Sequence, residues 1–281
     1  MVQGHHDIMH GMNKRAENIK LIVCDIDNTI IPTGREEITG RLRADFHKAI
    51  EKGIYVMIDT GRHYTFLQKS LFEDLPMDYI GTINGACLVR RDGTVISKQA
   101  MSEDTMHRMT ASALENHIGL GFKFVDSIVT YAYHDQFVKG YCANDYYASL
   151  VKNDCEHRKH HLEWGMPLGT FLIGADEDVS KMKDDVPEMT FAWSSKHGYD
   201  AFMADITKAT AVEPVLEMLG IGWENVIAFG DAGNDTPFIE KAGIGVALGN
   251  ARDDVQKHAD YVADTCANDG VAKMLEELGI V

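Results

Sequence analysis

Two aspartates spaced two apart, Asp25 and Asp27, directly follow the four apolar residues 21–24 (LIVC). An apolar run of this length, bounded by turn-forming residues, is typical of a buried strand of a parallel sheet. The two carboxylates would then lie just past the carboxyl end of that strand, where open α/β sheets bind their ligands. Two ionised carboxylates at a buried strand end repel each other unless a cation or a proton intervenes. The spacing therefore indicates either a metal site or a pair made of an acid and a nucleophile.

Three further motifs carry polar side chains that suit the same site. Residues 59–62 (DTGR) place the hydroxyl of Thr60 at the end of the next apolar strand. Lys208 lies near the start of a predicted helix, and residues 230–235 (GDAGND) again follow an apolar strand. Because the carboxyl ends of parallel strands meet at one edge of a sheet, we expect these motifs to converge there.

The chemistry of such a set follows from its parts. Two or three carboxylate oxygens, with nearby carbonyls and waters, suit Mg²⁺. A carboxylate can also attack phosphorus and form an aspartyl phosphate, which splits one difficult step into two. The ammonium of Lys208 and the hydroxyl of Thr60 would neutralise and hold phosphoryl oxygens, and backbone N–H groups near Asn28, Thr29 and Gly61 would add donors.

The elements around these motifs alternate between strand and helix at both ends of the chain, which predicts parallel βαβ units and an α/β fold. The middle differs, because hairpin signals there predict an antiparallel sheet with helices on one face. We therefore expect a Rossmann-like core at 19–84 and 204–281, an inserted α+β domain at 85–203, and a disordered tail at 1–18 that contains histidines. Predicted helices cover about 39–52, 63–72, 102–116, 207–219 and 270–278, and predicted strands include 20–24, 54–58, 87–90, 94–97, 122–125, 128–133, 170–173, 190–193, 199–203, 226–229 and 245–248.

The bulk composition narrows the class of protein. The chain has 281 residues, of which 45% are hydrophobic, enough for one large domain or two smaller ones. A formal net charge of −16 disfavours nucleic acid and anionic membrane surfaces as partners, and no apolar run is long enough to predict a transmembrane helix. Five widely spaced cysteines without a CxxC motif favour a reduced, cytoplasmic protein. The segment 155–161 (CEHRKHH) is interpreted as solvated rather than as a zinc site, because Arg158 and Lys159 disfavour a cation there.

Taken together, the motifs at 25–29 (DIDNT), 59–62, 82–86 (TINGA), Lys208 and 230–235 resemble those of haloacid dehalogenase superfamily phosphatases, and more narrowly of their Cof-type (IIB) branch. The segments 242–251, 259–262 and 269–272 extend the resemblance, which covers the chain from about residue 19 to its end. About 35 positions separate Asp25 from Thr60, which is enough for one crossover helix. About 148 separate Thr60 from Lys208, which agrees with the large inserted cap (C2-type) of that branch.

The resemblance implies a role for each motif residue. Asp25 would be the nucleophile and Asp27 the general acid and base. Thr60 and Lys208 would bind the transferring phosphoryl group. The resemblance implies that Mg²⁺ is held by Asp25, the carbonyl of Asp27 and Asp231, with support from Asn234 and Asp235, and that Gly61, Arg62 and Asn84 lie near the phosphate or the cap hinge.

Two departures from the family pattern bear on these roles. Asn28 stands where the branch usually has glycine, and asparagine tolerates the left-handed backbone that such a turn needs. Ala209 stands where glycine usually follows the lysine, so Lys196 is an alternative to Lys208. We favour Lys208 because it opens a helix shortly before the last motif strand.

The sequence therefore predicts a Mg²⁺-dependent phosphatase that acts on a small phosphorylated molecule, such as a sugar phosphate or a nucleotide-like metabolite, beneath a closing cap. A phosphomutase that uses the same aspartyl phosphate is one alternative. A phosphate-binding regulatory protein without turnover is another. The oligomeric state stays open at this point.

Overall fold

The computed structural model describes residues 15–73, 75 and 77–281, and fourteen strands in these residues form two sheets. The larger sheet has the strand order β14-β13-β12-β1-β2-β3-β4-β5, and the smaller has the order β10-β11-β9-β6-β7-β8. The strands are β1 (Leu21–Cys24), β2 (Tyr55–Asp59), β3 (Tyr79–Thr82), β4 (Cys87–Arg90), β5 (Val95–Lys98), β6 (Gly119–Lys123), β7 (Ile128–Ala132), β8 (Val151–Asn153), β9 (Gly169–Ile173), β10 (Met189–Ser195), β11 (Gly198–Met203), β12 (Val226–Gly230), β13 (Ile244–Ala247) and β14 (Tyr261–Val262).

The helices agree in place with most of the predicted ones. The predicted helix over 63–72 is wrong, because the chain forms a 3₁₀ turn at Tyr64–Phe66, becomes extended at Leu67 and forms only one later turn of helix. The α-helices of the described residues are α1 (Gly40–Glu51), α2 (Ser70–Glu73), α3 (Glu103–Glu115), α4 (His134–Tyr141), α5 (Asp145–Ser149), α6 (His160–Trp164), α7 (Asp176–Asp185), α8 (Lys208–Leu219), α9 (Thr236–Lys241), α10 (Asp253–Gln256) and α11 (Gly270–Glu277).

The larger sheet is parallel around β1, which pairs with β2 on one side and β12 on the other. Side chains of a strand alternate between the two faces of a sheet. Ile22 and Cys24 accordingly pack in the cluster with α1 and α11, whereas Leu21 and Val23 pack in the cluster with α8 and α9. Burial on both faces explains the unbroken apolar run of β1. The α/β core that the sequence predicts is confirmed.

The boundary expected at residue 85 is wrong, because the hairpin β4–β5 belongs to the larger sheet. β4 pairs antiparallel with β3, and β5 pairs with β4. The excursion away from the core sheet therefore begins after Lys98 rather than at residue 85. At the other end, β11 of the smaller sheet ends at Met203.

The smaller sheet is antiparallel except for the parallel pair β7–β8. Helices α3 and α7 cover one face, where Leu120 and Phe122 are buried. The expectation that helices lie on one face only is wrong, because Phe137 of α4 packs on the other face against Phe171. This α4 face also includes Phe66 of the core, so α4 lies where the two sheets meet.

Residues 15–18, which were expected to belong to a disordered tail, form a turn on the core. The amide of Asn18 donates to the carbonyl of Arg15 at 3.2 Å, and Ala16 is buried. The rest of the predicted tail and its histidines lie outside the described residues. Within the part of the chain that is described, no helix has the length and apolar character needed to cross a bilayer.

Candidate active site

The strand register brings the sequence motifs to one edge of the larger sheet. Cys24 of β1 lies opposite Ile58 of β2 and opposite Phe229 of β12. The residues that follow these three positions therefore leave the sheet side by side. Asp25 is buried at this edge, and its backbone N–H donates to the carbonyl of Phe229 at 3.0 Å.

Lys208 is the first residue of α8, and its ammonium lies among buried carboxylates. Nζ donates to Oδ1 of Asp25 and to Oδ1 of Asp235, each at 2.6 Å. The helix start is held close to the core, because a Cβ on Gly85 would lie 1.9 Å from the carbonyl oxygen of Thr207. Lys196, the alternative lysine, lies exposed in the turn between β10 and β11.

The acidic loop after β12 is organised by Asp235. Its Oδ2 accepts from the backbone N–H groups of Asp231 and Ala232, each at 2.9 Å, while Oδ1 accepts from Lys208. The carboxylate of Asp231 points back toward β1, where it accepts from the hydroxyl of Thr29 at 3.0 Å. One oxygen from each of Asp25, Asp231 and Asp235 lies within 4.8 Å of the others.

Burial dominates the electrostatics of this cluster. It raises the pKa of Asp25 to about 8, against the lowering effect of Lys208 and with a further increase from Asp235 and Asp27. Burial likewise raises the pKa of Asp231 to about 6. Burial pushes the pKa of Lys208 down, but Asp235, Asp25 and Asp59 outweigh it and hold that pKa above its usual value. The carboxyl groups of Asp25 and Asp231 therefore resist ionisation in this poorly solvated place.

The donor set fits a hard divalent cation. Carboxylate oxygens are ligands that Mg²⁺ prefers, and a cation beside Asp25 and Asp231 would offset the burial that raises their pKa values. Asp235 already accepts hydrogen bonds from Lys208 and two backbone amides, so it suits a supporting role more than a direct one. In the described residues, this is the one group of at least three His, Cys, Asp or Glu side chains close enough to share an ion.

The carboxylate of Asp27 lies apart from the cluster and is bound by Arg62. Nε and Nη2 of Arg62 donate to its two oxygens at 2.7 and 2.8 Å, and half of the Asp27 side chain is exposed. Burial lowers the pKa of Arg62, but the bonds to Asp27 outweigh it and raise that pKa. The intervening turn has the left-handed geometry expected at Asn28, whose φ is 60°.

The remaining predicted residues surround this edge. The hydroxyl oxygen of Thr60 is buried and accepts from the backbone N–H of Arg62 at 3.2 Å. The side chain of Asn234 donates to Oδ1 of Asn84 at 2.9 Å instead of pointing at the carboxylates. Gly61 packs against the same Asn84 side chain, since an added Cβ would lie 3.0 Å from its Oδ1.

Sequence reasoning missed several residues that shape the site. Asn250 donates to Oδ2 of Asp231 at 3.3 Å and to the carbonyl of Asn28 at 2.9 Å. Thr29 orients the other oxygen of Asp231. Asp59 is fully buried with no hydrogen-bond partner on either oxygen, and burial raises its pKa well above the usual value. All three residues lie within the segments 25–29, 59–62 and 242–251 that carry the family resemblance, and this position was the one sequence signal for them.

The side chains of the segment 155–161 make local contacts within the inserted domain. Asp154 accepts from the backbone N–H groups of Lys159 and His160, and the ring of His160 contacts Asp126 at 2.9 Å. His161 contacts the hydroxyl of Tyr131. The interpretation of this segment as solvated is wrong for these two histidines, because His161 is buried and the side chain of His160 is only 11% exposed.

A family model described as haloacid dehalogenase-like hydrolase matches residues 22–275, which include every motif at this edge. The chain belongs to this family. The resemblance stated from the motifs is therefore confirmed, and so, at the level of the family, is the expectation of a phosphoric monoester hydrolase.

Relatives and solved structures agree with this assignment. The 5-amino-6-(5-phospho-D-ribitylamino)uracil phosphatase of Bacillus subtilis is 30% identical over 92% of this chain and 95% of its own. A phosphoglycolate phosphatase of Methanobrevibacter smithii is 27% identical over 92% of this chain and 98% of its own. A superfamily phosphatase from Bacteroides thetaiotaomicron superposes with a TM-score of 0.81 at 25% identity, covering 94% of this chain and 96% of that one. A subclass IIB sugar phosphatase has the same fold, with a TM-score of 0.81 at 23% identity over 93% of this chain and 100% of that one.

Proposed function

We propose that this protein is a Mg²⁺-dependent phosphatase that hydrolyses small organic phosphate monoesters through an aspartyl phosphate on Asp25. The observation that carries the proposal is the buried group at the strand ends, in which Lys208 bridges Asp25 and Asp235 while Asp231 lies beside them. A nucleophilic carboxylate, a fixed ammonium and a metal-binding carboxylate are the parts that phosphoryl transfer requires.

The proposed reaction has two steps. A carboxylate oxygen of Asp25 forms a bond to phosphorus while the ester P–O bond breaks, and Asp27 donates its proton to the leaving oxygen. Asp27 then takes a proton from a water molecule, whose oxygen attacks phosphorus and releases the carboxylate of Asp25. In the structure Arg62 donates to both oxygens of Asp27, which favours the ionised carboxylate that accepts a proton in the second step. The first step requires one of these oxygens to be released from Arg62 and protonated.

The phosphoryl oxygens would be held by the hydroxyl of Thr60 and the ammonium of Lys208, with Gly61, Arg62 and Asn84 around them. Asp25, Asp231 and the carbonyl of Asp27 would hold Mg²⁺, with Asn234 and Asp235 in support. The cation, when bound, neutralises charge on the nucleophile and the phosphoryl group. Thr29 and Asn250 keep Asp231 aimed at that position.

A cleft between the two sheets supports a polar leaving group. It has a volume of about 400 Å³, and its lining includes Glu36, Glu73 and Lys69 of the core and Tyr147 of α5. The Tyr147 ring stacks on Phe66, whose carbonyl accepts from Arg62, so the cleft lies next to the pair of Arg62 and Asp27. Charged and aromatic walls suit a hydroxylated or nitrogen-bearing group, as in a sugar phosphate or a nucleotide-like metabolite. Five unpaired cysteines support a cytoplasmic location.

Phosphate release from a panel of phosphorylated metabolites, with Mg²⁺ and with EDTA, tests the proposal. We expect Mg²⁺-dependent turnover by the wild-type protein and loss of turnover in Asp25→Asn, with circular dichroism unchanged. An unchanged rate in Asp25→Asn would refute the nucleophile. Phosphate transfer within a substrate without net release would favour the phosphomutase alternative, and binding without either reaction would favour the regulatory one.

A further inference from the structure

The loop that carries Thr60 has each of its three carbonyl groups bound by a different donor. The carbonyl of Thr60 accepts from the backbone N–H of Asn84 at 3.1 Å, and that of Arg62 accepts from the N–H of Ile83 at 3.0 Å. The carbonyl of Gly61, between them, accepts from Nζ of Lys123 at 2.8 Å. Two donors thus come from the core, and the third comes from the inserted domain.

Lys123 is the last residue of β6 and is an unusual donor for this position. Its side chain is 1% exposed, it forms an ion pair with Asp200 of β11, and its ammonium lies over the ring of Phe171. A buried ion pair roughly breaks even against apolar side chains, so stability alone gives little reason for a lysine here. The hydrogen bond to the carbonyl of Gly61 supplies a reason for a lysine at this position.

A second contact joins the same two segments. His63 follows the loop directly, and its Nε2 lies 2.7 Å from the carbonyl of Phe124, which follows Lys123. Its Nδ1 accepts from the backbone N–H of Thr65, so Nε2 carries the proton and donates. Burial lowers the pKa of His63 to about 4, which keeps the ring neutral. Two neighbouring hydrogen bonds, Lys123 to Gly61 and His63 to Phe124, therefore connect the loop to the end of β6 when the inserted domain contacts the core.

The peptide group between Gly61 and Arg62 connects Lys123 to Thr60. Its C=O accepts from Lys123, and its N–H, which points the opposite way in a planar trans peptide, donates to Oγ1 of Thr60. Oγ1 accepts this hydrogen bond through a lone pair, which leaves the hydroxyl proton available for a phosphoryl oxygen. Hydrogen bonds in such a chain polarise one another, and a charged donor at one end strengthens the effect.

We propose that Lys123 is a positioning residue through which closure of the inserted domain orients the Thr60 hydroxyl as a donor to the phosphoryl group. The inference rests on the proposed function, which gives Thr60 its phosphate. In an open arrangement the carbonyl of Gly61 loses its ammonium partner, so the peptide group whose N–H binds Oγ1 of Thr60 is held less firmly. The site is then complete only when the cap covers it, which couples water exclusion to phosphoryl binding.

A double-mutant cycle tests this inference, using Lys123→Met, Thr60→Val and the double variant. We expect Lys123→Met to lower kcat for a small aryl phosphate roughly tenfold, a size typical of coupling between sites. In the Thr60→Val background the same substitution should change kcat by less than about twofold, because the hydroxyl it acts on is gone. Lys123→Arg, which keeps a charged donor, should recover part of the loss.

Lys152→Met is the matched control. Lys152 of β8 is a second lysine of the inserted domain, and it pairs with Asp126 at 2.7 Å without reaching the core. Its replacement should leave kcat within about twofold of wild type, since the loop keeps its contact. An equal loss in Lys152→Met, or fully additive effects of Lys123→Met and Thr60→Val, would overturn the positioning role.

Binding of inorganic phosphate in MgCl₂, measured by calorimetry on the same proteins, separates this inference from the proposed function. If the protein hydrolyses no ester but the two substitutions weaken phosphate binding non-additively, the positioning role of Lys123 is supported and the proposed phosphatase activity is refuted. If the wild type hydrolyses esters and the two substitutions have additive effects on both kcat and phosphate affinity, the proposed phosphatase activity is supported and the positioning role of Lys123 is refuted.

Discussion

Replacing Lys208 with methionine removes an ammonium that lies among three buried carboxyl groups. The side chain is 1% exposed, and both of its hydrogen bonds, to Asp25 and Asp235, are 2.6 Å long. Breaking a buried ion pair by removing one partner costs about 3–5 kcal/mol, because the other charge stays buried without compensation. For a protein near this size, that loss lowers the melting temperature by roughly 6–20 °C.

A surface pair of equal length provides the control for Lys208→Met. Lys273 and Asp264 also lie 2.6 Å apart, but their side chains are 43% and 38% exposed. Solvent screens such pairs, so Lys273→Met should cost about 0–1 kcal/mol. Comparing the stability losses of the two variants then separates the effect of burial from that of the distance between the charges.

The loss in Lys208→Met should depend on pH, and the sign follows from Asp25. Burial already raises the pKa of Asp25 to about 8 in the folded protein, above its unfolded value near 3.8, so wild-type stability falls as pH rises through this window. Without Lys208 the folded pKa rises further, and the cost of ionising Asp25 extends to higher pH. Below about pH 8 folded Asp25 is protonated in both proteins, so the two lose stability in parallel there. Thermal unfolding in EDTA should therefore show a difference from wild type that is nearly constant from pH 5 to 7 and grows above pH 8. A difference below about 2 °C at pH 8, or one that does not increase between pH 8 and 9, would refute this prediction.

Three further predictions concern the residues around this ion pair. Asp59→Ala should raise the free energy of unfolding at pH 7.5 by about 1–3 kcal/mol, because it removes a buried carboxyl that has no hydrogen-bond partner. Since the folded pKa of Asp59 lies above the unfolded one, the gain should shrink toward pH 4 in urea titrations, and a destabilised variant would contradict the assignment. Asn250→Ala should raise the Mg²⁺ concentration for half-maximal activity at least tenfold, because Asp231 loses a donor that orients it; an unchanged Mg²⁺ titration would speak against that role. Removal of divalent cations should lower the melting temperature of the wild type, and Mg²⁺ at about 100 times its dissociation constant should restore about 2.7 kcal/mol. The same addition should have little effect on Asp231→Asn, and an equal rise there would place the cation elsewhere.

The parallel core could be predicted because its signals are local. The unbroken apolar run of β1 reflects burial on both faces, and the motif residues stand where strands end. Asp25, Thr60, Lys208 and Asp231 were therefore expected at one edge, and the structure brings them together there. The roles assigned to them remain proposals.

What the sequence did not predict depends on contacts between distant residues. The hairpin β4–β5 was recognisable, but its membership of the larger sheet depends on the turn Ile83–Gly85, where three consecutive residues have positive φ. Isoleucine rarely adopts that geometry, so local sequence preferences do not predict the turn. Lys123 is likewise one lysine at the end of a strand, and only the fold shows that it reaches Gly61. The bidentate contact between Arg62 and Asp27 also spans two strand ends.

The order of pairing in the larger sheet has a consequence for how the chain reaches its native state. β1 pairs with β2 soon after it in the chain, but its other neighbour, β12, follows about two hundred residues later, and pairings of such separation form slowly. The contact between Asp25 and Asp231 therefore requires the chain to close a loop that contains the whole inserted domain. During refolding of a Trp223→Phe variant, whose two remaining tryptophans, Trp164 and Trp193, lie in the inserted domain, fluorescence should recover before Mg²⁺ binding does. Simultaneous recovery of the two signals would show instead that the two sheets fold as one cooperative unit.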